Sequence, residues 1–145
     1  MKTIFLTIIS LFLVSCSSMS KDTAAPNKDK ISDVSSKRSI FARITAYWPG
    51  EDKWTSKGKT STGRPLESRK TAAIDPKVIP YGSTIHIPSH GLKLVAADTG
   101  SAVKSRRASR RIGRNEPIID IYFKTKSEAK LFLSKLKSPV VKVYF

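Results

Sequence analysis

A single cysteine, two histidines and a shortage of acidic groups mark this 145-residue chain. The lone cysteine, Cys16, cannot close an internal disulfide, so the fold must stand without that staple. His86 and His90 have a ligand-like spacing, but Pro88 between them excludes a shared helical face and no cysteine joins them. Neither a metal nor a cofactor is expected. Internal repeats are missing as well. The apolar run from Ile4 to Val14 is shorter than the ~20 residues a permanent membrane-spanning helix needs. Only 11 Asp and Glu stand against 27 Lys and Arg, a formal charge of +16. A field of that sign attracts anionic partners.

What is present begins with a basic tip, Met1-Lys2, followed by that short apolar run and by Leu13-Val14-Ser15-Cys16. This order fits a secretory signal over residues 1–15. The last four residues resemble the bacterial lipobox, which implies cleavage before Cys16 and a lipid on its sulfur. The expected location is the cell envelope, anchored to a membrane through Cys16 and facing away from the cytoplasm. Ser17 lacks the acidic character that retains lipoproteins in an inner membrane, so in a cell with two membranes the outer one is expected. Export puts nucleic acid out of reach, and no nucleic-acid partner is expected. The anions at hand are lipid head groups, wall polymers and the carboxylates of wall peptides.

Residues 16–38 are rich in Ser, Lys and Asp, with Ile31 and Val34 the only branched aliphatics. Such a segment cannot offset its ordering entropy and is expected to be a flexible tether reaching about 25 Å. Residues 39–145 are expected to form one domain. Its strand candidates are Ile40–Ala46, Thr84–Ile87, Leu92–Ala97, Ile118–Phe123 and Val140–Phe145, each bounded by turn residues. One helix is expected over Lys126–Leu136, with Thr125 and Glu128 spaced as a capping box and Pro139 beyond it. Short strands with Gly and Pro punctuation point to an all-β barrel or sandwich.

Three aspartates interrupt apolar runs where Asp is normally depleted. Asp75 lies in Ile74-Asp75-Pro76, Asp98 in Ala97-Asp98-Thr99-Gly100, and Asp120 in Ile119-Asp120-Ile121. Converging carboxylates separate one another's pKa values, so that one can serve as an acid at neutral pH. Each also has an ordinary explanation. Asp75 can cap a turn and Asp98 can make an Asx-turn. Asp120 is harder to explain so, because strand alternation places it on one face with Ile118 and Tyr122.

Ala46-Tyr47, Ser61-Thr62-Gly63, Ile74-Asp75-Pro76, Ile79-Pro80-Tyr81-Gly82, Ala97-Asp98-Thr99-Gly100 and Ile119-Asp120-Ile121-Tyr122-Phe123 occur in one order. In that order they resemble the 3D domain, named for three aspartates and similar to the catalytic part of MltA-type lytic transglycosylases. The resemblance spans about residues 40–145. It implies a six-stranded double-psi β-barrel with a short helix near the C-terminus. It also implies cleavage of peptidoglycan glycan strands between N-acetylmuramic acid and N-acetylglucosamine, leaving a 1,6-anhydro sugar. Asp120 matches the catalytic acid, Asp98 a neighbour that tunes it, and Asp75 the third member. Tyr47, Thr62 and Lys104 match positions that line the groove.

Two departures stand beside the match. A basic insertion, Ser105–Pro117, roughly doubles the usual distance between the last two aspartates, and Ser105 replaces the usual glycine after the motif lysine. The insertion, with Arg106, Arg107, Arg110, Arg111 and Arg114, is expected to be an exposed loop at the groove rim. Trp48 and Trp54 are candidates for stacking on sugar or for plain packing. Glu51-Asp52 reads as a solvated loop. A second function stays open: a non-catalytic module that grips wall polysaccharide on the same fold. The expected lipid on Cys16 has a direct check. Cys16→Ser is expected to release the protein from membranes or leave its signal uncut, as read by fractionation and by the mass of the mature chain.

Overall fold

The computed structural model describes residues 38–51 and 57–145. Cys16, the signal and the tether up to residue 37 lie outside the described residues, as do Asp52 and Trp54. The described chain forms six strands: β1 Ser39–Tyr47, β2 Thr71–Ala73, β3 Thr84–Ile87, β4 Leu92–Asp98, β5 Ile118–Tyr122 and β6 Val140–Tyr144. They close into a barrel in the order β1-β5-β2-β4-β3-β6. β1 runs parallel to β5 and β2 parallel to β4, and the remaining neighbours are antiparallel. The six-stranded double-psi barrel expected from the resemblance is the fold adopted.

Alternation explains which faces are buried. Leu92, Leu94 and Ala96 of β4, Ile85 and Ile87 of β3, and Val141 and Val143 of β6 share the main core with Ala42 and Ile44 of β1. Lys93 and Lys142, between them, are exposed. β5 differs because both of its faces are covered. Ile119 and Ile121 enter the main core, while Ile118 and Tyr122 join a second cluster with Tyr47, Ala73 and Val103. Asp120 shares the face of this second cluster.

Helix α3, Lys126–Ser134, begins where expected and ends two residues earlier. Thr125 Oγ1 accepts a hydrogen bond from the Glu128 amide at 3.2 Å, the N-cap half of a capping box. Ala129 is fully buried, and Phe132 packs on Phe123 with ring centroids 5.1 Å apart. β2 was absent from the sequence-based expectation. Its three small residues show no alternation, and they become a strand only because β4 and β5 pair with them on both sides.

The basic insertion is not the simple exposed loop that its charge suggests. Two helical turns, α1 Ser101–Lys104 leading into it and α2 Arg107–Arg110 within it, fold back against β5 and β1. Val103 from α1 is buried, and Ser109 from α2 is buried completely. Ser109 Oγ accepts from Arg43 Nε of β1 at 3.1 Å and donates to the Glu116 carbonyl at 2.9 Å. Arg43 Nη2 also stands 3.7 Å from Glu116 Oε2, an ion pair rather than a hydrogen bond. One small hydroxyl therefore fastens the insertion to the barrel.

Ser109→Ala removes that acceptor and donor from a closed site. It is expected to lower stability by about 1–3 kcal/mol, the cost of stranding a buried partner. Urea unfolding of the full-length protein measures this as a lower midpoint at an unchanged slope.

Candidate active site

The second face of the sheet carries a row of residues in register. Thr45 of β1 pairs with Asp120 of β5, Asp120 pairs with Ala73 of β2, and Ala73 pairs with Asp98 of β4. Neighbouring strands lie about 4.8 Å apart, so the backbones of the two aspartates stand about 10 Å apart with a methyl group between them. The arrangement depends on a register shift. Ala72 pairs with Ala96 but Ala73 pairs with Asp98, so Ala97 is skipped. Unbroken alternation would point Asp98 inward with Leu94 and Ala96. The irregularity turns it onto the face of Asp120, a known use of β-bulges.

Over this row opens a cleft of about 880 Å³, lined among others by Tyr47, Ala73, Asp98, Asp120 and Lys104. Its size suits an extended ligand of several rings.

The two carboxyl groups are held differently. Asp98 is saturated with donors. Its Oδ2 accepts from the Tyr47 hydroxyl at 2.8 Å, and its Oδ1 accepts from the amides of Ser61 and Thr99, each at 2.8 Å. Tyr47 is buried at the end of β1, and its ring meets Tyr122 at 5.4 Å. Burial, reinforced by the charge of Asp98, pushes the Tyr47 hydroxyl well above its usual pKa, so it remains a donor.

Asp120 has one hydrogen-bond donor among the described residues, the Thr45 hydroxyl at 2.6 Å. Burial pushes its pKa up to about 7; the charges of Glu51 and Asp98 add to the rise and the Thr45 hydrogen bond opposes it. At neutral pH this carboxyl is therefore divided between its acid and base forms.

Of the residues singled out from the sequence, Asp98, Asp120, Tyr47 and Lys104 line one cleft. Asp75 and Thr62 are not among its lining residues. Asp75 Oδ1 accepts from the Lys77 amide at 3.0 Å, an Asx-turn, and its carbonyl accepts from Val78 and Ile79. The preceding residue, Ile74, bonds to Asp98 and Thr99 through its backbone, so this segment braces the Asp98 loop. Thr62 Oγ1 donates to the Ala97 carbonyl at 2.7 Å and pairs with Thr60, fixing the turn that offers the Ser61 amide to Asp98.

Trp48 packs against the main core, and the Lys126 ammonium lies 5.7 Å from its ring centroid. His90 bonds to Ser89 and meets Phe132 edge-on. Among the described residues no group of three or more His, Cys, Asp or Glu side chains is placed to hold a metal ion. Nor is any helix among them long and apolar enough to cross a membrane. Sequence reasoning missed Thr45 and Ala73. Thr45 shares a face with Tyr47 and was findable by alternation, whereas Ala73 acquires its position only from the register.

The site is thus a closed barrel with two unlike carboxyls, Asp98 and Asp120, on one wall of a cleft. Residues 70–133 match the model of the 3D domain, and that stretch contains all three aspartates. Two Bacillus subtilis (strain 168) proteins are similar to the chain. The "Putative cell wall shaping protein YabE" is 40% identical over 75 residues, covering 50% of this chain and 16% of that protein. The "Cell wall-binding protein YocH" is 36% identical over 75 residues, covering 50% of this chain and 22% of that protein. The chain thus spans less than a quarter of either relative.

The raised pKa of Asp120 has a consequence for stability. A carboxyl whose folded pKa exceeds its unfolded one binds its proton more tightly when folded. Its contribution is fully present below the ordinary value of 3.8 and is lost as pH rises through about 7. Asp120→Asn is expected to remove that loss. The variant gains stability over the parent at pH 8, by ~4 kcal/mol at most, and the gain vanishes below pH 4. Paired denaturation curves at the two pH values measure it.

Proposed function

We propose that the protein acts on the cell wall as a peptidoglycan lytic transglycosylase, with Asp120 as acid and then base. The observation that carries this reading is a carboxyl with a pKa of about 7 on the wall of an open cleft. Protonated Asp120 gives its proton to the oxygen joining N-acetylmuramic acid to N-acetylglucosamine, and the C1–O bond breaks. The carboxylate then takes the proton of the muramic acid C6 hydroxyl as that oxygen closes on C1. No water is consumed and Asp120 returns to its starting form, as general acid–base logic requires. Thr45 holds the carboxyl in place. Asp98, fixed by its three donors, lies close enough for its charge to help keep the Asp120 proton in place.

The cell-wall names of the two relatives and the 3D domain support a wall-associated role. We place the protein outside the cytoplasm, anchored through a lipid on Cys16. The name of YocH also supports a second reading, a binder that grips wall glycan without cutting it.

Product mass separates the two readings. Full-length protein incubated with purified peptidoglycan is expected to release fragments one water lighter than hydrolysis products, whereas a pure binder releases none. Asp120→Asn is expected to cut roughly 10²–10⁴-fold more slowly. The parent rate is expected to fall above pH 7 as the acid form is lost. An Asp120→Asn protein that releases anhydro fragments at the parent rate overturns the assignment.

A further inference from the structure

The cleft that holds two aspartates is walled by cations. Lys59 approaches from the turn that precedes Ser61, Lys104 from the last residue of α1 and Arg107 from the first of α2. None of these three side chains makes a hydrogen bond or ion pair with another described residue. The neighbouring cations are already engaged. Arg43 bonds to Ser109, Arg106 Nη1 donates to the Asn115 carbonyl at 2.8 Å, and Arg114 stands 3.8 Å from Glu116. Arg110 and Arg111 do not line the cleft.

The backbone around Arg107 is also committed. Arg106 has φ of 52°, a left-handed conformation that non-glycine residues seldom adopt. It turns the chain between α1 and α2. Buried Val103 on one side and buried Ser109 on the other hold both helical turns to the barrel. Lys104 and Arg107 are therefore presented on a fixed scaffold, which reduces the ordering needed on binding.

We propose that Lys59, Lys104 and Arg107 form a carboxylate-binding subsite for the peptide stem of the same muramic acid whose C1–O bond Asp120 cleaves. The identity of the ligand rests on the transglycosylase reading. Its chemistry follows from connectivity. The stem is attached through the lactyl group on C3 of the sugar, and C3 belongs to the same ring as C1. A glycan seated with C1 at Asp120 therefore brings its acidic stem within a cleft's width of that carboxyl. The free carboxylates of the stem need cations there, and the guanidinium fork of Arg107 can donate two parallel hydrogen bonds to one of them. The subsite selects glycan whose stems carry free carboxylates and fixes which side of the cleft the muramic acid faces.

The test uses binding, so that it does not depend on cutting. Full-length Asp120→Asn protein is sedimented with intact wall and with wall whose free stem carboxylates have been capped as methylamides by carbodiimide coupling. Preference for intact wall is expected to be at least tenfold at low salt and to shrink as salt screens the charges. Lys59→Gln, Lys104→Gln and Arg107→Gln together are expected to bring the preference close to one. Arg110→Gln with Arg111→Gln, the same kind of change outside the cleft, is expected to keep it. Equal binding to both walls, including none, overturns the proposal. So does a triple variant that keeps the preference, or an Arg110/Arg111 variant that loses it equally. A preference that follows the triple variant in a protein whose parent releases no anhydro fragments supports the subsite and refutes the lyase reading instead.

Discussion

The register shift between β2 and β4 is the constraint on which the site depends. Pairing Ala73 with Asp98 skips one residue of β4. That slip brings a second carboxylate onto the wall that already carries Asp120. The hydrogen bonds that fix it are local. The Ile74 amide reaches the Asp98 carbonyl at 2.9 Å, and Thr99 Oγ1 reaches the Ile74 carbonyl at 2.7 Å. With the irregularity closed, Asp98 would face Leu94 and the main core, an unpaired charge in an apolar setting that no small barrel could tolerate.

From that slip follows a division between the two acids. One carboxylate is surrounded by a phenol and two amides; the other has a single threonine hydroxyl among the described residues. Burial governs the behaviour of Asp120, and its single hydrogen bond only opposes that effect. The row also explains why a residue as plain as Ala73 stands between them. A larger side chain there would fill the cleft between the two carboxyls. The second apolar cluster beneath, with Tyr47, Val103, Ile118 and Tyr122, gives this wall a floor of its own.

Much of the fold could be read from the sequence, because β3, β4 and β6 each show alternating burial over four or more residues, and β5 is a β-branched and aromatic run broken only by Asp120. β2 could not, since Thr71-Ala72-Ala73 has no pattern to read and forms only through its neighbours. The insertion could not either. Its arginines suggested a solvated loop, and the residues that tether it, Val103, Ser109 and Arg43, look ordinary in isolation. Arg43 lies 66 positions from Ser109. Of the site, Asp120 was legible because an acid between Ile119 and Ile121 has little other reason to be there. Asp98 was legible as a motif, but its orientation was hidden in the register, which no linear pattern encodes. Thr62 and Asp75 belong to the same motifs, yet their side chains bond to the backbone, Thr62 to Ala97 and Asp75 to Lys77.

The closure of the barrel has a mechanical meaning. Arg38 and Phe145 exchange backbone hydrogen bonds at 3.0 and 2.9 Å, so the chain entering the domain is stitched to β6 before it has gone one residue into β1. β1 is then flanked on both sides, by β6 along its first half and by β5 along its second. A pull arriving at residue 38 along the strand is borne in shear by two ladders, whose bonds must break together rather than one after another. A domain held by its leading end to a surface while its cleft grips a taut polymer would meet this kind of load, and β1 is the strand that carries both Thr45 and Tyr47.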